Sequence, residues 1–290
     1  MRNWLIANAK AGEGKRGQAF WLEHLQAVGL SDLLVRDFSD AGWEKGVQAG
    51  DRLLVAGGDG SVSRIAALCV ERSATLVVLP SGTANDFARN LGLPDDAESI
   101  CRLAVSGQTA KVDVAWIDGH LFLNVAHIGL GTIPVREAFS EYKKRFGRFS
   151  YLAALMRKLW GQQGFHGRLT YDGEIIEGRW LSIAVASGAF YGGGQRIPNA
   201  AANDGQLDIV AVRPRSWARL LGAFVMLRLL GRVSKHSSTL VHVKASECQI
   251  ELRSPKTLTA DGDVIGKIEK ATAVCRPAVL EVACEKIMHT

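Results

Sequence analysis

Three times in the N-terminal part of the chain, an apolar run short enough to be a β-strand ends in small and polar residues and leads into a helical pattern. Trp4 to Ala7 is followed by Asn8-Ala9-Lys10-Ala11-Gly12-Glu13-Gly14-Lys15-Arg16-Gly17, Leu53 to Ala56 by Gly57-Gly58-Asp59-Gly60-Ser61, and Leu76 to Leu79 by Pro80-Ser81-Gly82-Thr83-Ala84-Asn85-Asp86. Leu33 to Val35 reads as a fourth strand. The stretches Gly17 to Val28, Ser61 to Arg72 and Asn85 to Leu91 carry apolar residues at helical spacing. Strands alternating with helices predict β-α-β units and a parallel sheet. In such sheets ligands bind outside the carboxyl ends of the strands, so the three loops are expected at one rim.

Each loop has its own chemistry. The first offers backbone amides with Lys10, Lys15 and Arg16 at a helix N-terminus, a combination that attracts anions. Gly12, Gly14 and Gly17 also spell G-x-G-x-x-G, with Asp37 farther on, so dinucleotide binding and an ordinary flexible loop both stand as alternatives. In the second loop the glycines let the backbone approach a pyrophosphate closely. Asp59 would repel phosphates unless it holds a metal, a water or a donor; its plain alternative is a helix cap. The third loop supplies Ser81, Thr83 and Asn85 as neutral donors and Asp86 as a carboxylate able to reach a metal through water, or else a helix-capping cluster.

After Lys111 the texture changes to alternating strands and tight turns, with Asp118-Gly119 between Asp113 to Ile117 and Leu121 to Ala126, and Asp172-Gly173 between two more. One helical insertion is expected at about 141–161. At roughly 150 residues per domain, 290 residues give about two domains. They are placed at 1–112, an α/β nucleotide domain, and at 113–277, a mostly antiparallel β domain.

A net charge of +6 favours polyanionic partners, yet no nucleic-acid motif accompanies it, and none is expected to bind. The five cysteines contain no C-x-x-C pair, which argues against a disulfide framework or zinc site and for a reducing cytoplasm. Trp4 to Ala7 is too short for a secretory signal, and no long uncharged apolar window occurs, so membrane contact is expected to be peripheral. Nothing in the sequence fixes an oligomeric state.

Gly57 to Ser61 followed by Pro80 to Arg89 resembles the catalytic domain of the diacylglycerol kinase family, which includes bacterial lipid kinases and sphingosine kinases. Tyr191-Gly192-Gly193-Gly194 with Pro198, and Asn203-Asp204-Gly205-Gln206-Leu207-Asp208, are similar to its second-domain signature, and Asp261-Gly262-Asp263 to its D-G-E element. The resemblance runs through nearly the whole chain. It implies an NAD kinase- or phosphofructokinase-like α/β domain that presents ATP, a β domain that completes the site, and a final segment, 278–290, that returns to the first domain. By position, Asn8, Gly57, Gly58, Asp59, Gly60, Ser61, Val62, Ser63, Thr83 and Asn85 would bind nucleotide. Asp263 would take the proton from a lipid hydroxyl, and Asp59 and Asp86 would order Mg²⁺ and water. A structural metal would sit on the Asp204 side chain and the carbonyls of Ala201 and Gln206.

The chain departs from the family at four places: Ala9 replaces a proline, Arg36-Asp37-Phe38-Ser39 lacks the threonine usual after the second strand, Ser63-Arg64 replaces Asn-Glu, and Asp263 replaces a glutamate. Losing a methylene draws a carboxylate back by on the order of 1 Å, a displacement that costs about a hundredfold in rate if uncompensated. A kinase for a soluble acceptor and a catalytically weak lipid- or nucleotide-binding protein therefore stay open. Docking on an anionic membrane is expected from Lys143 to Phe149 or from Arg215 to Lys235, each of which also reads as an ordinary helix face.

Overall fold

The computed structural model describes residues 1–7, 16–129, 164–191, 194–197, 200, 203–215 and 239–285. The expected insertion at 141–161 and the two expected membrane-facing stretches, apart from Arg215 itself, lie outside these residues. Two compact units are present. One comprises Met1–Asn124, Ser187–Gln206 and Cys275–Thr290, the other Val125–Ala186 and Leu207–Val274.

In the first unit, strands β1 (Asn3–Ala7), β2 (Leu34–Asp37), β3 (Arg52–Gly57) and β4 (Thr75–Pro80) form a parallel sheet in the order β4-β3-β1-β2. Helices α1 (Gln18–Ala27), α2 (Asp59–Arg72), α3 (Asp86–Asn90) and α4 (Ala97–Ser106) connect or follow them. The pleat sorts the strand residues into two cores. Trp4, Ile6, Leu53, Val55, Leu76 and Val78 pack on one face with Val62, Ile65 and Cys69 of α2. Leu5, Ala7, Leu54, Ala56, Val77 and Leu79 pack on the other with Trp21 and Leu25 of α1 and Ile100 and Cys101 of α4. Burial on both faces explains why these strands read as continuous apolar runs and not as alternating ones.

Helix α4 went unrecognised in the sequence although both ends carry signals. The Asp96 carboxylate accepts from Ser99 N–H at 2.8 Å, and Gly107 closes the helix at φ +73°. Strands β5 (Thr109–Ile117) and β6 (His120–Phe122) also belong to the first unit. The break expected at residue 112 therefore falls inside β5. Val112, Val114 and Leu123 enter the core beneath β1, β3 and β4, and this keeps the hairpin with the first unit. The strand expected from Leu121 to Ala126 is interrupted at Leu123-Asn124, and its remainder is β7 (Val125–Gly129) of the second unit.

The second unit is antiparallel. Strands β8 (Phe165–Tyr171), β9 (Glu174–Trp180) and β10 (Ser182–Ala186) are joined by direct connections, and Asp172 and Gly173 take φ +47° and +80° in the β8–β9 turn. A short ribbon of β11 (Phe190–Tyr191) and β12 (Gln195–Arg196) lies in the first unit. Beyond it come β13 (Leu207–Val212), β14 (Leu240–Ala245), β15 (Glu247–Ala260) and β16 (Asp263–Ala283). Strand β15 pairs with β8 through Gln249 to Leu252 and with β7 through Leu258 to Ala260. Its register against β16 shifts between Glu251 and Lys256, a bulge that lets one strand serve two sets of partners. The end of β16 pairs parallel with β4 at Val282 and Leu76, and Leu280 and Val282 join the first core.

Candidate active site

Strand β3 ends at Gly57 and α2 begins at Asp59, with Gly58 as an N-cap that offers no side chain. The first backbone bond of α2 runs from Val62 N–H to Gly58 C=O at 3.0 Å, so the amides of Asp59, Gly60 and Ser61 precede the helical ladder. Amides in this position, with the helix dipole behind them, form a site for an anion. The loop after β4 lies directly alongside. Ser81 N–H donates to Gly57 C=O at 3.0 Å. A Cβ on Gly82 would stand 2.5 Å from Gly58 Cα, and one on Gly57 would stand 2.5 Å from Ser61 Cβ. No rotamer change relieves a clash with backbone, so the Gly58–Gly82 approach requires glycine. Two of the three expected loops thus meet at one rim. Asn8, Lys10 and Lys15 of the first loop lie outside the described residues, and Arg16 donates to Asp95 C=O at 2.9 Å.

Some expected donors are committed within the loop. The Ser81 hydroxyl is buried, donates to Leu79 C=O at 3.0 Å and accepts from the Trp21 indole at 2.8 Å. These bonds tie α1 to the end of β4. Asn85, at φ +51°, accepts from Gly82 N–H and donates to Gly82 C=O, each at 2.9 Å, and so closes the turn on itself. Val62 points into the core and Ser63 is buried, while Thr83 is exposed. Arg64 pairs with Glu44 at 3.6 Å and lies over the Phe38 ring.

Asp59 is the first residue of its own helix but completes the N-terminus of another. Its Oδ1 accepts from Phe87 N–H of α3 at 2.9 Å and from Asn124 Nδ2 at 3.2 Å. Asn124 Oδ1 in turn accepts from Asn90 Nδ2 at 3.0 Å. Asp86 is buried, accepts from Gly194 N–H at 2.6 Å, and lies 3.4 Å from Arg89 Nη1, which also donates to Ala84 C=O. Asn90 and Asn124 were not among the expected residues. The available signal was an amide interrupting an apolar run at Leu123-Asn124-Val125.

The Asn203-Asp204-Gly205 turn also belongs to the first unit. Asp113, not singled out in the sequence, accepts from Gly205 N–H at 2.7 Å and from Ala278 N–H at 2.9 Å, and its own N–H donates to Asn203 Oδ1 at 2.9 Å. Asp204 is exposed and accepts from Gln206 N–H at 3.1 Å. Burial, reinforced by Asp113 and Asp204, pushes the Cys275 thiol up to about 12. Ala201 lies outside the described residues, among which no group of three or more His, Cys, Asp and Glu side chains is close enough to hold a metal. In the second unit, Asp261 and Gly262 take φ +46° and +92° between paired Ala260 and Asp263, a two-residue hairpin turn. Asp263 opens β16 and is exposed.

The parallel α/β unit and the antiparallel β unit define a protein of the NAD kinase-like class. Residues 2–117 match the diacylglycerol kinase catalytic domain, and 126–284 match the YegS C-terminal NAD kinase beta sandwich-like domain. The chain belongs to the family of diacylglycerol kinases and YegS-like lipid kinases. A Chromohalobacter salexigens protein named "Probable lipid kinase YegS-like" is 34% identical over 72% of this chain and 70% of its own length. The Bacillus subtilis diacylglycerol kinase is 25% identical over 80% and 77%. The crystal structure of a diacylglycerol kinase from Bacillus anthracis str. Sterne superposes with a TM-score of 0.72 at 25% identity, over 98% of this chain and 97% of that one. An NAD kinase from Archaeoglobus fulgidus in complex with ATP shares the fold, with a TM-score of 0.52 at 15% identity over 99% and 94%.

Proposed function

We propose that this chain is an ATP- and Mg²⁺-dependent kinase that phosphorylates the hydroxyl of a diacylglycerol-like lipid at the cytoplasmic face of a membrane. The observation that carries this reading is the rim where Gly58 and Gly82 meet backbone to backbone, beside the leading amides of α2 and the carboxylates of Asp59 and Asp86. A cradle that a Cβ would fill suits a polyphosphate, and two carboxylates beside it suit a hard cation. The amides of Asp59, Gly60 and Ser61 hold phosphate oxygens, with Asn8, Lys10, Lys15 and Thr83 as further contacts. Asp59 and Asp86 hold Mg²⁺ directly or through water; when bound, it neutralises charge on the phosphates.

Asp263 is the base: its carboxylate takes the hydroxyl proton as the lipid oxygen bonds to the γ-phosphorus and the bond from that phosphorus to the ADP oxygen breaks. The Asp204 side chain, with the carbonyls of Ala201 and Gln206, holds a structural cation. The excess of basic residues supports docking on an anionic lipid surface.

The reading is tested by following labelled phosphate from ATP to diacylglycerol, a sphingoid base, a glycolipid and NAD in mixed micelles. Label on a lipid is expected; label on NAD alone would overturn it. The shorter carboxylate at 263 favours a second reading, a slow or inactive lipid-binding protein. Measurable transfer that falls about a hundredfold in Asp263→Asn would exclude that reading.

A further inference from the structure

A file of hydrogen bonds runs through the first unit and ends on Asp59. The N–H groups of Ala189 and Phe190 donate to Asn90 Oδ1 at 2.9 and 3.1 Å. Asn90 Nδ2 donates to Asn124 Oδ1 at 3.0 Å, and Asn124 Nδ2 donates to Asp59 Oδ1 at 3.2 Å. Every donor points the same way, toward the carboxylate. In such a chain each bond polarises the next. The backbone is shaped around the file as well. Ser187 N–H donates to Asn124 C=O at 2.9 Å, and a Cβ on Gly188 would stand 2.3 Å from Asn90 Nδ2, so the segment between β10 and β11 passes close against the Asn90 amide.

An Asn124 side chain that is 3% exposed, with both ends of its amide engaged, holds one orientation. Among the described residues, both bonds to the Asp59 side chain fall on Oδ1. From this we infer that Asn124, and Asn90 behind it, are positioning residues that fix the Asp59 carboxylate for Mg²⁺ beside bound ATP. The inference rests on the kinase reading and deepens it: the metal-holding carboxylate is set from the Ser187–Phe190 segment through two amides. Partners that orient a metal-holding group typically change metal affinity or activity about 10–100-fold when removed.

The test is calorimetric titration of ATP into the full chain with and without Mg²⁺, together with kcat and KM for ATP. Asn124→Leu, close in shape but without the donor, is expected to reduce the Mg²⁺-dependent gain in ATP affinity and kcat each by about tenfold or more. Affinity for ATP without Mg²⁺ should stay within about twofold, while KM for ATP, read with Mg²⁺ present, rises with the lost affinity; a general structural lesion would not produce this split between metal-dependent and metal-free binding. In an Asp59→Asn background, adding Asn124→Leu should change the Mg²⁺-dependent term no further, because the two act as a unit. Asn90→Ser, one link farther away, should show the same split more weakly, and it carries the test if Asn124→Leu does not fold. Equal losses with and without Mg²⁺, or no change, would overturn the inference and leave the kinase reading intact. A parent chain that binds no ATP would sink that reading, and the inference with it.

Discussion

Asp-Gly occurs at the rim of the parallel sheet as Asp59-Gly60 and at the tip of an antiparallel hairpin as Asp261-Gly262, and the same dipeptide meets opposite demands. At the rim, glycine is required beside the dipeptide, at 58 and 82, by what lies across from it, since a Cβ on Gly82 would strike Gly58 Cα at 2.5 Å. At the hairpin it is required by its own backbone, with φ +46° and +92° at the two turn residues. The aspartates differ accordingly. Asp261 clasps one neighbouring residue: its N–H donates to Val125 C=O and its Oδ1 accepts from Val125 N–H, both at 3.0 Å. Asp59 is itself clasped, by an amide of α3 and by Asn124. One carboxylate stabilises a turn; the other is held still, as the metal-holding role proposed for Asp59 requires.

The comparison breaks most sharply on Asp59→Asn. The substitution keeps the shape and an acceptor for Phe87 N–H but removes the charge, so the transition midpoint should move by no more than about 2 °C. Phosphate transfer should fall by roughly 10²–10³-fold, the scale seen when one preorganised electrostatic group is lost. A change of stability without a change of rate would make Asp59 equivalent to Asp261.

The two units should also differ in acid. Burial in the second unit pushes His127 down to about 4 from 6.5. The unfolded chain takes up that proton first, so stability present above pH 6.5 is lost as pH falls toward 4. The gap corresponds to on the order of 3 kcal/mol. In the first unit burial alone would raise Asp51. The Arg2 guanidinium, the Trp4 indole and the N–H groups of Gln48 and Arg2 outweigh it and hold Asp51 well below the carboxylate range. Its contribution is present above the ordinary carboxylate value of 3.8 and is lost only as pH falls below that. Urea midpoints should therefore decline between pH 6.5 and 4.5 in the parent and in Asp51→Asn, and hold steady in His127→Phe.

How far these regions were legible follows from where their partners lie in sequence. The β1, β3 and β4 runs, the loops that follow them and the Asp-Gly turns are local patterns, and each announced itself. Asn124 meets Asp59 across 65 positions and Asn90 across 34, and the Trp21–Ser81 bond spans 60. No local pattern carries such pairings, so neither the Trp21–Ser81 tie nor the two amides stood out. The α4 helix is a different case. Its cap and its closing glycine are both present in the sequence, at Asp96 and Gly107, yet no element is expected from the sequence between Leu91 and Lys111.

Asp261→Ala gives the smallest effect and isolates the hairpin's side of the comparison. The substitution removes the acceptor for Val125 N–H and places an alanine at φ +46°. An unsatisfied backbone donor and a strained turn together should cost about 1–3 kcal/mol, read as a lower urea midpoint at unchanged slope. Asp261→Asn retains both a side-chain acceptor and tolerance of positive φ, so its loss should stay below about 0.5 kcal/mol. If the asparagine variant lost as much as the alanine variant, the charge of Asp261 and not its fit to the turn would be what matters, and the contrast with Asp59 would dissolve.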